Sequence, residues 1–286
     1  MLKRYRSFLQ LFFVLVGTVV FSGSVENGVS SLHFKNTLAQ DGFTGYNHFA
    51  FSGTDYASGF DSLGITLHPG SEYAADDNTS PSSLNHCKSL VYRTLKSLPS
   101  DHSGHLRNLT LYFSDTGRRG LGGGSTIILR CHNVTDAELV GVLVHEIGHI
   151  VDTGKYQGNF LFGASGFRDG DTPVYNDDPS KDFYALSFVD EKTLRADASP
   201  LDFVSGYGMS DPFEDFAESY NYYVLHGNEF RKLARSNHVL RQKYNFLKTR
   251  IFGGKEYVNG QGKVDLFSRE YDATQVEYDM DRFFAI

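Results

Sequence analysis

The chain has 286 residues, 40% of them hydrophobic and 21% charged, enough apolar chain for one large domain or a medium one with extensions. A formal net charge of −7 with no basic block argues against a nucleic-acid surface. There are 24 Phe and 17 Tyr but no Trp, so aromatic packing falls to the smaller rings.

The first 24 residues read as an export signal. Lys3, Arg4 and Arg6 make a positive start, Phe8 to Phe21 an apolar run, and Ser22-Gly23-Ser24 a small-residue exit. The other reading is an uncleaved membrane anchor, but the run is short for a span and Gln10 interrupts it. Residues 25–83 are rich in Gly, Ser, Asp, Tyr and Phe and read as an N-terminal extension, propeptide or linker, with the compact domain starting near Leu84. Cys87 and Cys131, the only cysteines, read first as one disulfide in an exported chain; two buried free thiols are the alternative. Sequons at Asn78, Asn108 and Asn133 matter only in a host that glycosylates.

From Leu84 the apolar spacing predicts a helix that ends before Pro99. His102 and His105 follow in a polar turn and read as surface residues. Leu109 to Phe113 reads as a strand, the glycine-rich run from Asp115 to Ser125 as a hairpin link, and Ser125 to Cys131 as a second strand. That second strand could offer a free edge to an extended peptide.

The most informative stretch is His145-Glu146-Ile147-Gly148-His149. Thr135 and Glu138 form a capping box, Leu139, Val140, Leu143, Val144, Ile147, Ile150 and Val151 form an apolar face, and Gly154 is a natural stop. Histidines four apart on a helix share a face and can converge on one ion, and the intervening glutamate can serve as a base. Two satisfied core histidines beside a paired glutamate are the structural alternative.

Residues 154–200 read as a loop-rich insertion lining a cleft. Then Asp211, Pro212 and Glu214 open a second helix running to about Leu225, with a capping box of their own. A further helical pattern spans Glu229 to Phe246, and the tail from Gly253 shows no recognisable chemistry.

A catalytic zinc takes three protein ligands and keeps one position open. The third ligand is not a later histidine of the H-E-x-x-H-x-x-G-x-x-H kind, because Asp152 and Lys155 stand where its glycine and last histidine would be. Glu214 and Glu218, four apart, would repel on an exposed helix but make sense with a cation between them and the histidines. Alternatively, Glu214 only caps its helix and Glu218 is solvated.

HEIGH followed by a glutamate on a later helix resembles the gluzincin group of zinc metallopeptidases. Tyr207-Gly208 through Glu214, Phe216-Ala217 and Glu218 is similar to the catalytic domain of the anthrax lethal factor type. The resemblance implies an α+β, zincin-like domain at 84–286: a small mixed sheet with an edge strand beside the active-site helix, then a mainly helical part. It implies Zn²⁺ held by His145, His149 and Glu214, with Tyr207 near the substrate carbonyl and Glu218 supporting a ligand histidine; Asp152 is the alternative support. It covers the two helical motifs alone, Asp215 departs from an aromatic position, and the insertion has no counterpart. The expected function is an exported zinc metalloendopeptidase in which a zinc-activated water attacks a peptide or protein substrate and Glu146 is the general base. An inactive zinc-containing binding or cell-surface module is the alternative, and a cell-wall peptide is a third possible target. No nucleic-acid partner is expected, and membrane contact only through an uncleaved N-terminal segment.

Overall fold

A computed structural model describes residues 55–68, 81–113, 117–260 and 263–285; the export segment and Asn78 lie outside these. Among the described residues, no helix is long and apolar enough to cross a membrane.

The architecture is α+β, with one small mixed sheet set against helices. Helix α1 (Asp55–Ser62) leads to strand β1 (Thr66–Leu67), then come α2 (Pro81–Ser97) and a single turn α3 (Ser100–Ser103). Strands β2 (Asn108–Tyr112), β3 (Gly120–Gly123) and β4 (Thr126–Arg130) precede the long helix α4 (Asp136–His149). The sheet order is β1-β2-β4-β3, parallel except for β3, which pairs antiparallel with β4 from Gly120↔Leu129 to Gly123↔Thr126.

Three expectations change here. Phe60 and Ile65 are buried in the common core and β1 pairs with β2, so the compact unit reaches back before Leu84, to Asp55 at least. The glycine run is not only a link, because Gly120–Gly123 is itself a strand. That makes β3 the edge strand, while β4 lies inside the sheet between β2 and β3.

Helix α4 packs on the sheet with its apolar positions fully covered: Val140, Leu143, Val144, Ile147, Ile150 and Val151 are 0% exposed. Each such side chain contributes about 1.5–3 kcal/mol of burial. Beyond His149 the helix does not stop at Gly154; a π-helical turn carries it through Ile150–Lys155. The insertion that follows is less irregular than its composition indicates. It holds a hairpin, β5 (Ala164–Asp169) and β6 (Thr172–Tyr175), and a short helix α5 (Ser180–Tyr184).

Helix α6 (Pro212–Leu225) starts and ends where the sequence places it. The pattern after it divides into α7 (Gly227–Ser236) and α8 (His238–Phe246), because Asn237 leaves the helical region and its side chain caps Leu240 N at 2.9 Å. The chain closes with α9 (Met280–Phe284). Cys87 of α2 and Cys131 just past β4 are disulfide-bonded, closing a loop with a separation of 44 residues in front of α4.

His102 is buried rather than surface-exposed. Its Nε2–H donates to Ile251 O at 2.9 Å and Tyr220 OH donates to its Nδ1 at 2.8 Å. Burial lowers its pKa from 6.5 to about 4, so the fold holds it neutral. The folded value lies below the unfolded one, so its contribution is complete above pH 6.5 and is lost as pH falls through 4. The shift corresponds to about 3 kcal/mol. Unfolding free energies from urea titrations at pH 7 and pH 4 should therefore converge by up to about 3 kcal/mol in His102→Gln relative to wild type; an unchanged acid loss would disprove the assignment.

Candidate functional site

Two helices build the site. Thr135 Oγ1 accepts from Glu138 N at 3.2 Å to start α4, while the Glu138 carboxylate turns to Arg119 at 3.4 Å instead of completing the box. Asp211 caps α6 by accepting from Phe213 N at 3.0 Å and Glu214 N at 2.9 Å. Its box is also half made, because the Glu214 side chain points to the histidines. The helices meet at Gly148: a Cβ there would stand 2.9 Å from Ala217 Cα. The glycine of HEIGH is therefore what lets α6 come close enough for its glutamates to reach the rings. Asn221 Nδ2 donates to Gly141 O at 2.7 Å and fixes the register between them.

At this crossing His145 Nε2, His149 Nε2 and Glu214 Oε2 converge. The two nitrogens are 3.2 Å apart, and Oε2 lies 3.1 Å from the first and 3.4 Å from the second. Glu214 Oε2 is buried yet accepts no hydrogen bond of acceptable geometry. Among the described residues this is the one group of three or more His, Cys, Asp or Glu side chains arranged to hold a metal ion. Burial works against charge on both partners and is outweighed. Glu214 sits well below the usual carboxylate range because of the two imidazoles, and His145 well above its usual value because of Glu214 and Glu218. The surroundings thus favour a positive charge between rings and carboxylate.

Glu218 supports His145. The ring Nδ1–H donates to Glu218 Oε1 at 2.8 Å, so in the neutral ring, the form that a metal ion takes, the lone pair is on Nε2 facing the cluster. Glu218 Oε2 accepts from Ala273 N at 2.8 Å and from the Ser205 hydroxyl. Asp152 does not take this part: its Oδ1 accepts from Tyr184 OH at 2.7 Å, and burial raises its pKa to about 7. Lys155, at the place of a third histidine in the longer motif, pairs with Asp101.

Glu146 lies beneath the edge strand. A Cβ on Gly120 would come 2.2 Å from Glu146 Oε1, and one on Gly122 2.7 Å from Glu146 Oε2. Burial raises the pKa of Glu146, with His145 and His149 pulling the other way. Tyr207 OH donates to Glu214 Oε1 at 2.9 Å, and its pKa is pushed far up by burial and by Glu214, so it stays a neutral donor. All these groups open onto one cleft of about 690 Å³, bordered by β3 above and by Asp169 of the insertion.

His145, Glu146, His149, Tyr207, Glu214 and Glu218 thus come together as the sequence places them, and Asp152 stands apart. Sequence reasoning missed the glycines over Glu146 and the tail, where Tyr271, Asp272 and Thr274 line the cleft and Ala273 holds Glu218. It also missed Arg119, which anchors β3 to that tail through Asp272 and Thr274 Oγ1 (2.8 Å). Comparisons with protein-family models, with curated proteins and with solved structures give no match to this chain.

The close fit over Glu146 gives a test with its own control. Gly120→Ala and Gly122→Ala should each cost about 1–3 kcal/mol through overpacking, visible as a lowered Tm. Gly123→Ala should stay within about 0.5 kcal/mol, since its Cβ would meet only Thr153 Oγ1 at 3.9 Å. Equal losses at all three positions would contradict the packing described.

Proposed function

We propose that the chain is an exported zinc metallopeptidase of the gluzincin type with a zincin-like catalytic domain. The observation that carries the reading is the triangle of His145 Nε2, His149 Nε2 and Glu214 Oε2, with sides of 3.1–3.4 Å. Ligands at 2.0–2.1 Å from a tetrahedral ion stand about 3.3–3.4 Å apart, so the three donors already have the separations of one face. A zinc ion held by these three would keep a fourth position for water, and all three donor residues line the cleft. The orphaned Glu214 Oε2 and the lone pair fixed on His145 Nε2 are the donor chemistry such an ion takes.

A zinc ion in this place supplies Lewis acidity and brings a water's pKa down to about 7. The chain supplies the rest. Glu146, its pKa raised by burial, accepts a proton from the attacking water and returns it to the departing amine. Tyr207, beside Glu214 Oε1, donates its phenolic hydrogen to the developing oxyanion. Glu218 holds His145 in one tautomer. The disulfide between Cys87 and Cys131 supports an oxidising, extracytoplasmic setting.

A binding module with a structural zinc would need a fourth protein ligand, and among the described residues the cluster has three. Nor does a structural site need a base at Glu146.

Purified protein should contain about one zinc per chain by metal analysis and should cleave an unfolded protein. Chelation should abolish cleavage. Glu146→Gln should lower the rate by about 10²–10⁴-fold while retaining the metal. Full activity in Glu146→Gln, or zinc retained at one equivalent by a His145→Ala/His149→Ala double variant, would refute the reading.

A further inference from the structure

We infer that the cavity between α7 and α8 is an anion site for a phosphate-bearing ligand. The inference is independent of the peptidase reading, since none of its residues belongs to the cleft. It is carried by three arginines that, among the described residues, line one cavity with no carboxylate in its walls.

The cavity, about 350 Å³, is lined by Arg231, Ala234 and Arg235 of α7 and by Arg241 and Tyr244 of α8. That volume lies at the lower end of the range for ligand pockets. No run of basic residues marks it in the sequence; the helical break at Asn237 sets α8 against α7 and brings the arginines together. Arg231 and Arg235 stand four apart on α7, where like charges repel. An anion in the cavity turns that repulsion into attraction.

The donors are held ready. Arg231 Nη1 donates to Tyr257 O at 2.8 Å and to Tyr244 OH at 3.2 Å, and Nη2 to Asn228 Oδ1, so its guanidinium is fixed at the cavity wall. Arg241 Nε donates to Ala234 O at 3.0 Å, which caps the last turn of α7 and leaves the four outer hydrogens of its fork. Arg235 is exposed and makes no hydrogen bond or ion pair with the described residues.

The carboxylates around the two helices do not answer these charges. Glu256 is 4.0 Å from Arg231 but is bonded to Lys248 at 2.7 Å and to the Tyr244 hydroxyl. Glu229 is buried under Gly260. Asp202 accepts from Ser199 N at 2.8 Å and Asn237 Nδ2 at 2.7 Å, and Asp215 pairs with Lys243. Set against all four, the six cations Arg231, Lys232, Arg235, Arg241, Lys243 and Lys248 still leave a net charge of +2, in a chain whose total is −7. A phosphate monoester, with nearly two charges and three terminal oxygens, suits three guanidinium forks better than a carboxylate, with one charge and two oxygens. A soluble phosphate and the phosphate headgroup of an anionic lipid present the same oxygens.

Calorimetric titration of the full chain with inorganic phosphate should show one site, with acetate bound at least about tenfold more weakly. Arg235→Gln and Arg241→Gln should each weaken phosphate binding about tenfold to hundredfold, the loss of charge-assisted hydrogen bonds. Lys232→Gln, on α7 but outside the cavity wall, should change it by less than about twofold. Protein stripped of metal should bind phosphate equally well, which sets the site apart from His145, His149 and Glu214. Co-sedimentation with phosphatidylcholine vesicles containing about one-fifth phosphatidic acid, against phosphatidylcholine alone, separates the sources. Sedimentation with phosphatidic acid that is lost in Arg241→Gln identifies a lipid headgroup; phosphate binding without sedimentation identifies a soluble phosphate. Tm without phosphate should not fall in Arg235→Gln, and a fall would assign Arg235 to the fold instead of the site. No phosphate binding up to about 10 mM together with no sedimentation would overturn the inference. So would binding that survives in Arg235→Gln/Arg241→Gln or disappears with the metal, equal binding of acetate, or an equal loss in Lys232→Gln.

Discussion

The contact between Gly148 and Ala217 governs the site. Two helices with ordinary side chains at their crossing stand 8–10 Å apart. Here one glycine and one alanine bring α6 against α4 so closely that a single Cβ would strike backbone at 2.9 Å. Glu214 and Glu218 flank Ala217 on α6 as His145 and His149 flank Gly148 on α4, so the approach of the small residues sets the approach of the four functional ones. Moving the helices apart by the thickness of a methyl group would open separations of 3.1–3.4 Å beyond any shared ion. The Asn221 bond to Gly141 O and the buried Val144, Ile147, Phe216 and Tyr220 hold that approach.

Around this crossing lies a polar network that stabilises little and specifies much. Asp215, next to the candidate ligand Glu214, is buried with Lys243 of α8, whose Nζ is 2.6 Å from Asp215 Oδ2 and donates to Asp202 O at 2.9 Å. Burial raises the Asp215 pKa to about 6 despite the lysine, which shows how costly the pair is to desolvate. What it gains is direction: the first turn of α6 cannot rotate without separating the two charges. Glu218 works similarly, with His145, Ser205 and Ala273 N sharing its two oxygens.

The helical half of the site was legible because its signals are local. Capping residues, apolar periodicity and histidines four apart lie within one segment, and Asp211 with Pro212 marks the start of α6 to the residue. The remainder depends on partners far along the chain. Ala273 contributes a backbone N–H, which every residue but proline has, so nothing in the tail's composition marks it. Gly120 and Gly122 form a strand against their intrinsic preference, and the demand for glycine comes from Glu146 beneath them. His102 resembles a surface histidine until Tyr220 and Ile251, 118 and 149 residues away, meet its ring. The first strand was missed because two residues, Thr66 and Leu67, carry no period at all.

The end of α4 shows how the same logic joins helix to edge strand. Within the π-helical turn, Thr153 Oγ1 donates to His149 O at 2.9 Å and accepts from Gly124 N at 2.9 Å. Gly154 lies directly on the same turn, where a Cβ would fall 1.9 Å from Gly124 O. One hydroxyl therefore references the second histidine and the end of the glycine strand to each other. Asp152, on the inner side of that turn, reaches Tyr184 and so references the insertion to it as well. The end of the edge strand and the insertion are thus both tied to Ile150–Lys155, six residues that follow directly on His149.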